Sequence, residues 1–203
     1  MDAASTIVIL IFFFSIIGTA FHGGDSGSDQ LARTAIVYSS EINLPSPTYT
    51  AGATGAHIAL MSFAKKFNVQ LSADDRERVI RAIIRNCQEY DVNPRLIAAL
   101  VARESGFRPE AVSATGALGL GQLMPSTAES LDVADAFNIE QNIRGTVRYI
   151  KLQLDRWAGE PEQVALALAS YFQGYNAVRR RGGGYYVKTQ AYIQDIIRLA
   201  NTI

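Results

Sequence analysis

The segment Leu96-Ile97-Ala98-Ala99-Leu100-Val101-Ala102 is apolar almost all round and follows Asn93-Pro94 directly. Proline suits the first position of a helix, where no backbone donor is needed. A helix without a polar face has to run through the centre of a domain. Other helices must therefore surround it. Upstream, Ile80, Ile83, Ile84 and Cys87 recur at spacings of three and four, which places them on one helical face. Ser72 can cap that helix, and Asp74 and Asp75 stand in its first turn, where the helix dipole favours negative charge. Downstream, helical segments are expected over 126–131, 143–157, 163–178 and 189–200. In the second of these, Ile143, Val147, Ile150, Leu154 and Trp157 line one stripe. Alternation of period two is scarce. The expected fold is all-α, a compact helical domain with Gly-rich turns at 116–121 and 182–184.

The rest of the chain divides by composition. Residues 6–21 are an uncharged hydrophobic run. It is longer than a signal-peptide core of about 7–15 residues and shorter than the roughly 20 of a spanning helix. Residues 1–22 are read as a signal peptide or a membrane anchor, and both remain open. Residues 23–56, rich in Gly, Ser, Thr, Asp and Pro, are read as a flexible linker, and 57–203 as the folded domain. The expected location is the cell envelope, outside the cytoplasm, periplasmic or secreted, with possible anchoring through 6–21.

Charge and rare residues exclude several classes. Lys plus Arg and Asp plus Glu number 19 each. A neutral chain lacks the basic excess that drives binding to phosphate backbones, so no nucleic acid is expected. Cys87 is the single cysteine and the two histidines are His22 and His57. That set offers no disulfide, no cysteine-based zinc site and no His-dependent centre in the helical region; neither metal nor cofactor is expected. Cys87 reads as a small core residue.

One carboxylate stands out. Glu104 ends the apolar helix, which Ser105-Gly106-Phe107 then breaks. A carboxyl that loses solvation holds its proton to higher pH, and such an acid can protonate a glycosidic oxygen. An exposed helix-end glutamate is the plain alternative, and burial alone does not decide between them.

The context decides. The stretch from Ala102 to Leu131 holds Glu104-Ser105, Ser113 nine residues after the glutamate, Gly116-Ala117, Gly119-Leu120, Gln122, Met124-Pro125 and Thr127-Ala128. It resembles, nearly position by position, the signature of the family-one lytic transglycosylases, relatives of goose-type lysozyme. The family's trailing Asn-Ile, Gly and Tyr match Asn142, Ile143, Gly145 and Tyr149 with one spacing difference. The resemblance covers about residues 75 to 200. It implies a lysozyme-like fold and cleavage of the MurNAc–GlcNAc β-1,4 bond of peptidoglycan, leaving 1,6-anhydro-MurNAc ends. It makes Glu104 the sole catalytic carboxylate, acid and then base. Ser113 would hydrogen-bond the sugar or the glutamate. Gln122, Met124 and Thr127 would line the saccharide cleft, Tyr171 would sit by the acid, and Tyr192 joins them near the C-terminus. The partner is the peptidoglycan glycan strand, and the protein is expected to be a monomer. A goose-type muramidase and a non-catalytic wall-binding module are the competing readings.

Two positions depart from the family. It usually carries Tyr-Asn-Ala-Gly where this chain reads Tyr171-Phe172-Gln173-Gly174, and Phe172 cannot make the hydrogen bonds of an amide. Near Tyr192 the family often has Glu before Thr, and this chain has Lys188-Thr189. Subsite detail and rate are the properties these changes touch.

Overall fold

The structure, a computed structural model, describes residues 53–203. The hydrophobic run and most of the proposed linker lie outside the described residues. Those residues form eight α-helices: α1 Ala53–Phe67, α2 Ala73–Tyr90, α3 Pro94–Ser105, α4 Pro125–Ser130, α5 Ile139–Arg156, α6 Gln163–Gln173, α7 Tyr175–Arg180 and α8 Val187–Ala200. Among the described residues the only β pairing is two isolated bridges, Val112 with Leu118 and Leu118 with Leu123. The all-α expectation is met. None of these helices is long and apolar enough to cross a membrane.

The helix starts follow their local chemistry. Ser72 Oγ accepts from Asp75 N at 2.9 Å to cap α2. Asn93 caps α3 by accepting from Arg95 N at 2.9 Å, with Pro94 in the first turn. Every residue from Leu96 to Ala102 is buried, as a helix with no polar face requires. Around it, α2 packs on both α1 and α5, and α8 packs along α3. Val79, Ile80, Ile83 and Cys87 of α2 and Ile143, Val147 and Ile150 of α5 are closed off from solvent. Burial of one such aliphatic chain contributes about 1.5–3 kcal/mol. The Cys87 thiol sits in this core, and burial pushes its ionisation far up.

Two boundaries differ from expectation. The segment 163–178 is not one helix. Gly174 adopts φ 86° and ψ 136°, a conformation that residues with a Cβ rarely take, and separates α6 from α7. Helix α5 begins four residues before the expected Ile143, because Asn138 caps it by accepting from Gln141 N at 3.1 Å. Asn142 thereby falls inside a helix, on its buried face. Helix α1 opens at Ala53, and its Leu60, Phe63 and Ala64 join the core.

Beside the main core, a smaller cluster of Leu123, Ala128, Leu131, Val133 and Ala136 underlies α4. The segment 108–124 runs between this lobe and the end of α3.

Candidate active site

Glu104 occupies the last turn of α3, and the residues after it fix that end in place. Gly106 closes the helix in the left-handed region, its N–H donating to Ala102 O. Phe107 is fully buried against Phe63 and Phe67 of α1. The Asn68 amide donates to Phe107 O at 2.9 Å. Ser105 turns its hydroxyl back onto Val101 O at 3.2 Å, so the serine of the Glu-Ser pair serves the helix.

Glu104 as a whole residue is half-buried, with its carboxyl withdrawn from water. The hydroxyl of Tyr192, from α8, donates to Glu104 Oε1 at 2.5 Å. Loss of solvation pushes the Glu104 carboxyl up to about 7, against the opposing pull of the Tyr192 hydrogen bond and the Arg103 charge. Tyr192 is buried, and both burial and the neighbouring carboxylate hold its own proton well above the usual phenol range. The Arg103 guanidinium lies 5.5 Å from the centre of the Tyr192 ring and pairs with Asp195 at 3.6 Å. Phe172 stacks on the same tyrosine, centroids 4.5 Å apart and planes at 25°.

Tyr171 enters from α6. Burial first, then the charge of Glu104, raises its ionisation well above the phenol range. Its hydroxyl donates to Gly121 O at 2.6 Å, and its ring lies 5.1 Å from that of Tyr149. This bond ties α6 to the loop that carries the other motif residues. Glu104, Tyr171 and Tyr192 thus form one cluster built from three helices.

The loop is held from within. Ser113 Oγ accepts from Ala117 N at 2.9 Å and lies 3.0 Å from Thr115 Oγ1. Gln122, at φ 50°, donates its amide to Ala111 O at 3.1 Å and Gly119 O at 2.9 Å. Met124 is 43 % exposed just ahead of α4, and Thr127 is half-buried within it. Two glycines of the loop make a close approach, but to α5 and the turn before it. A Cβ on Gly121 would lie 1.9 Å from Thr146 Oγ1, and one on Gly119 would lie 2.2 Å from Ala136 O. Asn142 closes this contact: its side chain accepts from Gly121 N at 2.8 Å and donates to Ala136 O at 2.7 Å and Leu118 O at 3.1 Å.

Arg103, Tyr149 and Phe172 are the residues near the acid whose contacts sequence reasoning missed. Tyr149 and Phe172 carried signals, one as a motif match and the other as a departure from the family. Arg103 carried none beyond its place next to Glu104. Glu110 and Glu129, the nearest other glutamates in the motif region, are exposed. No group of three or more potential metal ligands occurs among the described residues.

The chain is similar to a protein named transglycosylase from Enterobacteria phage PRD1, 36 % identical over 115 residues, 57 % of this chain and 40 % of the phage protein. It is 44 % identical over 91 residues to membrane-bound lytic murein transglycosylase F of Vibrio parahaemolyticus, 43 % of this chain and 17 % of that one. The matches thus span less than half the length of these relatives. Among solved structures, the 70 kDa soluble lytic transglycosylase of Escherichia coli superposes with a TM-score of 0.55 at 16 % identity, covering 79 % of this chain and 31 % of that one. Lytic transglycosylase Slt of Pseudomonas aeruginosa does so at 0.54 and 24 % identity, covering 59 % and 23 %. These two likenesses show a shared fold. The Transglycosylase SLT domain matches residues 81–194, more than half of the 203-residue chain, running from within α2 to within α8 and including Glu104, Tyr171 and Tyr192, so the chain belongs to that family.

Proposed function

We propose that the chain is a peptidoglycan lytic transglycosylase with Glu104 as its acid and base. The observation that carries this reading is the state of Glu104, a carboxyl pushed up to about 7 by burial and addressed by the Tyr192 hydroxyl. An acid with that value is protonated in a useful fraction at neutral pH and basic once it has given the proton up.

In the proposed reaction Glu104 donates its proton to the oxygen linking MurNAc C1 to GlcNAc. The C1–O bond breaks, GlcNAc leaves with a free hydroxyl, and positive charge develops at C1. The Glu104 carboxylate then takes the proton of the muramoyl C6 hydroxyl, whose oxygen bonds to C1. The proton count at Glu104 is restored and no water is consumed. Ordinary glycosidases use a second carboxylate for water or for a covalent intermediate. An internal hydroxyl removes that need and brings the advantage of proximity.

Ser113, Gln122, Met124, Thr127 and Tyr171 would line the glycan path, with the Ser113 and Thr127 hydroxyls for sugar hydroxyls, the Met124 and Tyr171 side chains as apolar faces for the rings, and Gln122 shaping the path through the loop its amide holds. The substrate places the protein at the cell envelope, on the far side of the cytoplasmic membrane. Residues 6–21 would export it or anchor it there, and it would act as a monomer with residues 23–56 as a tether.

The test is mass spectrometry of purified peptidoglycan digested by the full chain, beside a Glu104→Gln control. Anhydro-muropeptides, one water lighter than hydrolytic products and absent from the control, are the expected outcome. Reducing ends would make the protein a muramidase. Binding to the wall with no release of muropeptides would make it a wall-binding module.

A further inference from the structure

Phe172 occupies the position where the family usually carries an asparagine, and its ring lies face to face with Tyr192 at 4.5 Å and 25°. The next residue links the same two helices. Thr189 Oγ1 donates to Gln173 Oε1 at 2.7 Å, and Thr189 is fully buried. Thr189 and Tyr192 stand three apart on α8, on one face of it. Phe172 and Gln173 are the last two residues of α6 before Gly174 ends it. Two adjacent residues of one helix end therefore grip two neighbouring residues of the other.

We infer that Phe172 is a positioning residue for Glu104: its stacked ring holds Tyr192 in the orientation from which the hydroxyl donates to the carboxylate. Rotation about χ1 swings a phenol ring bodily and carries its oxygen out of hydrogen-bond range, whereas χ2 only turns the ring about the axis on which that oxygen lies. A flat face 4.5 Å away opposes the χ1 swing toward it, over more area than an asparagine amide offers. The inference rests on the acid–base reading of Glu104 and adds a residue that acts on it without touching substrate.

The groups facing Glu104 are Arg103 of its own helix, Tyr171 of α6 and Tyr192 of α8, with Asp195 of α8 engaging Arg103. None of these is altered by substitution at 172. The Tyr192 hydrogen bond stabilises the ionised carboxylate, so loosening it raises the pH at which Glu104 titrates.

The experiment is a carbon-13 carboxyl NMR titration of the glutamate-labelled full chain in detergent, with the Glu104 signal assigned by its absence in Glu104→Gln. Phe172→Leu keeps the site apolar but removes the flat face. It should raise the midpoint by about half a pH unit, and Tyr192→Phe by about one. Adding Phe172→Leu to Tyr192→Phe should move it no further. Phe172→Tyr, which keeps the ring, should titrate like the parent. Phe172→Met serves in the same way if the leucine variant does not fold. An unchanged midpoint in the leucine variant overturns the inference. So does an equal shift in both backgrounds; a fall of the midpoint in both would mean that the ring only keeps water out. The titration needs no substrate, so failure of the proposed reaction would show separately, in the muropeptide products.

Discussion

The Tyr192 hydroxyl on α8 donates to Glu104 Oε1 on α3 across 2.5 Å, although 88 positions separate the two in the chain. The packing of α8 along α3 brings them together, and the same packing withdraws the carboxyl from water. The two effects oppose each other. Burial favours the neutral acid, the hydrogen bond favours the carboxylate, and burial wins by enough to leave the group near neutrality.

A group that must be protonated to act fixes the alkaline side of the pH profile. Wall-lytic activity should fall as pH rises through about 7, by about tenfold per pH unit beyond it. Turbidity loss of a cell-wall suspension across pH measures this. Activity that stays flat well into the alkaline range would contradict a role for Glu104 as the acid.

The same shift has a consequence for stability. The folded carboxyl titrates at about 7 and the unfolded one near 4.5. Its contribution is fully present below the unfolded value and is lost as pH rises through the folded one. Allowing for partial exposure, the ionised side chain should cost the fold on the order of 1–3 kcal/mol at mildly alkaline pH. Glu104→Gln should then be the more stable protein, and its advantage should vanish toward acid pH. Urea unfolding of both proteins at the two ends of the range checks the sign.

Asn142 satisfies three backbone groups from a buried position, two by donation and one by acceptance. Asn142→Ala should cost about 3 kcal/mol, since each group left unpaired in the interior is expensive. Asn142→Asp should do no better, because an ionised carboxylate would face the carbonyls of Leu118 and Ala136 without a proton to offer. Thermal unfolding followed by circular dichroism gives both comparisons.

Gly121 leaves no room for a methyl group against Thr146. Gly121→Ala should destabilise by about 2–3 kcal/mol through overpacking. Thr146→Ala, which removes the nearest atom, should recover part of the loss in the double variant. Additive losses would show that the clash is relieved by movement of the loop instead.

Much of the fold was legible in the chain because its signals are local. Ser72, Asn93 and Pro94 mark helix starts through bonds that span two or three residues, and Ile80, Ile83 and Cys87 share a face by helical spacing alone. The start of α5 was less legible. Asn138 caps it outside the apolar stripe that marks the helix, so periodicity placed the boundary too late. The break at Gly174 was also hidden, since a glycine within an apolar helical pattern is compatible with continuation until its dihedrals are known.

The sequence by itself determined an all-helical domain, the burial of the α3 segment and the singling out of Glu104, since periodicity, capping and motif spacing are properties of residues close along the chain. Only the tertiary structure decided what surrounds the acid. Tyr192 reaches it from a helix distant in sequence, Phe172 stacks on that tyrosine from another, and the Gln122 amide turns inward to hold its own loop. Gly121 faces α5, and Asn142 pins the two together. The reason is physical: solvation and long-range hydrogen bonds depend on which surfaces the packed helices close against each other, and no stretch of chain carries that information alone.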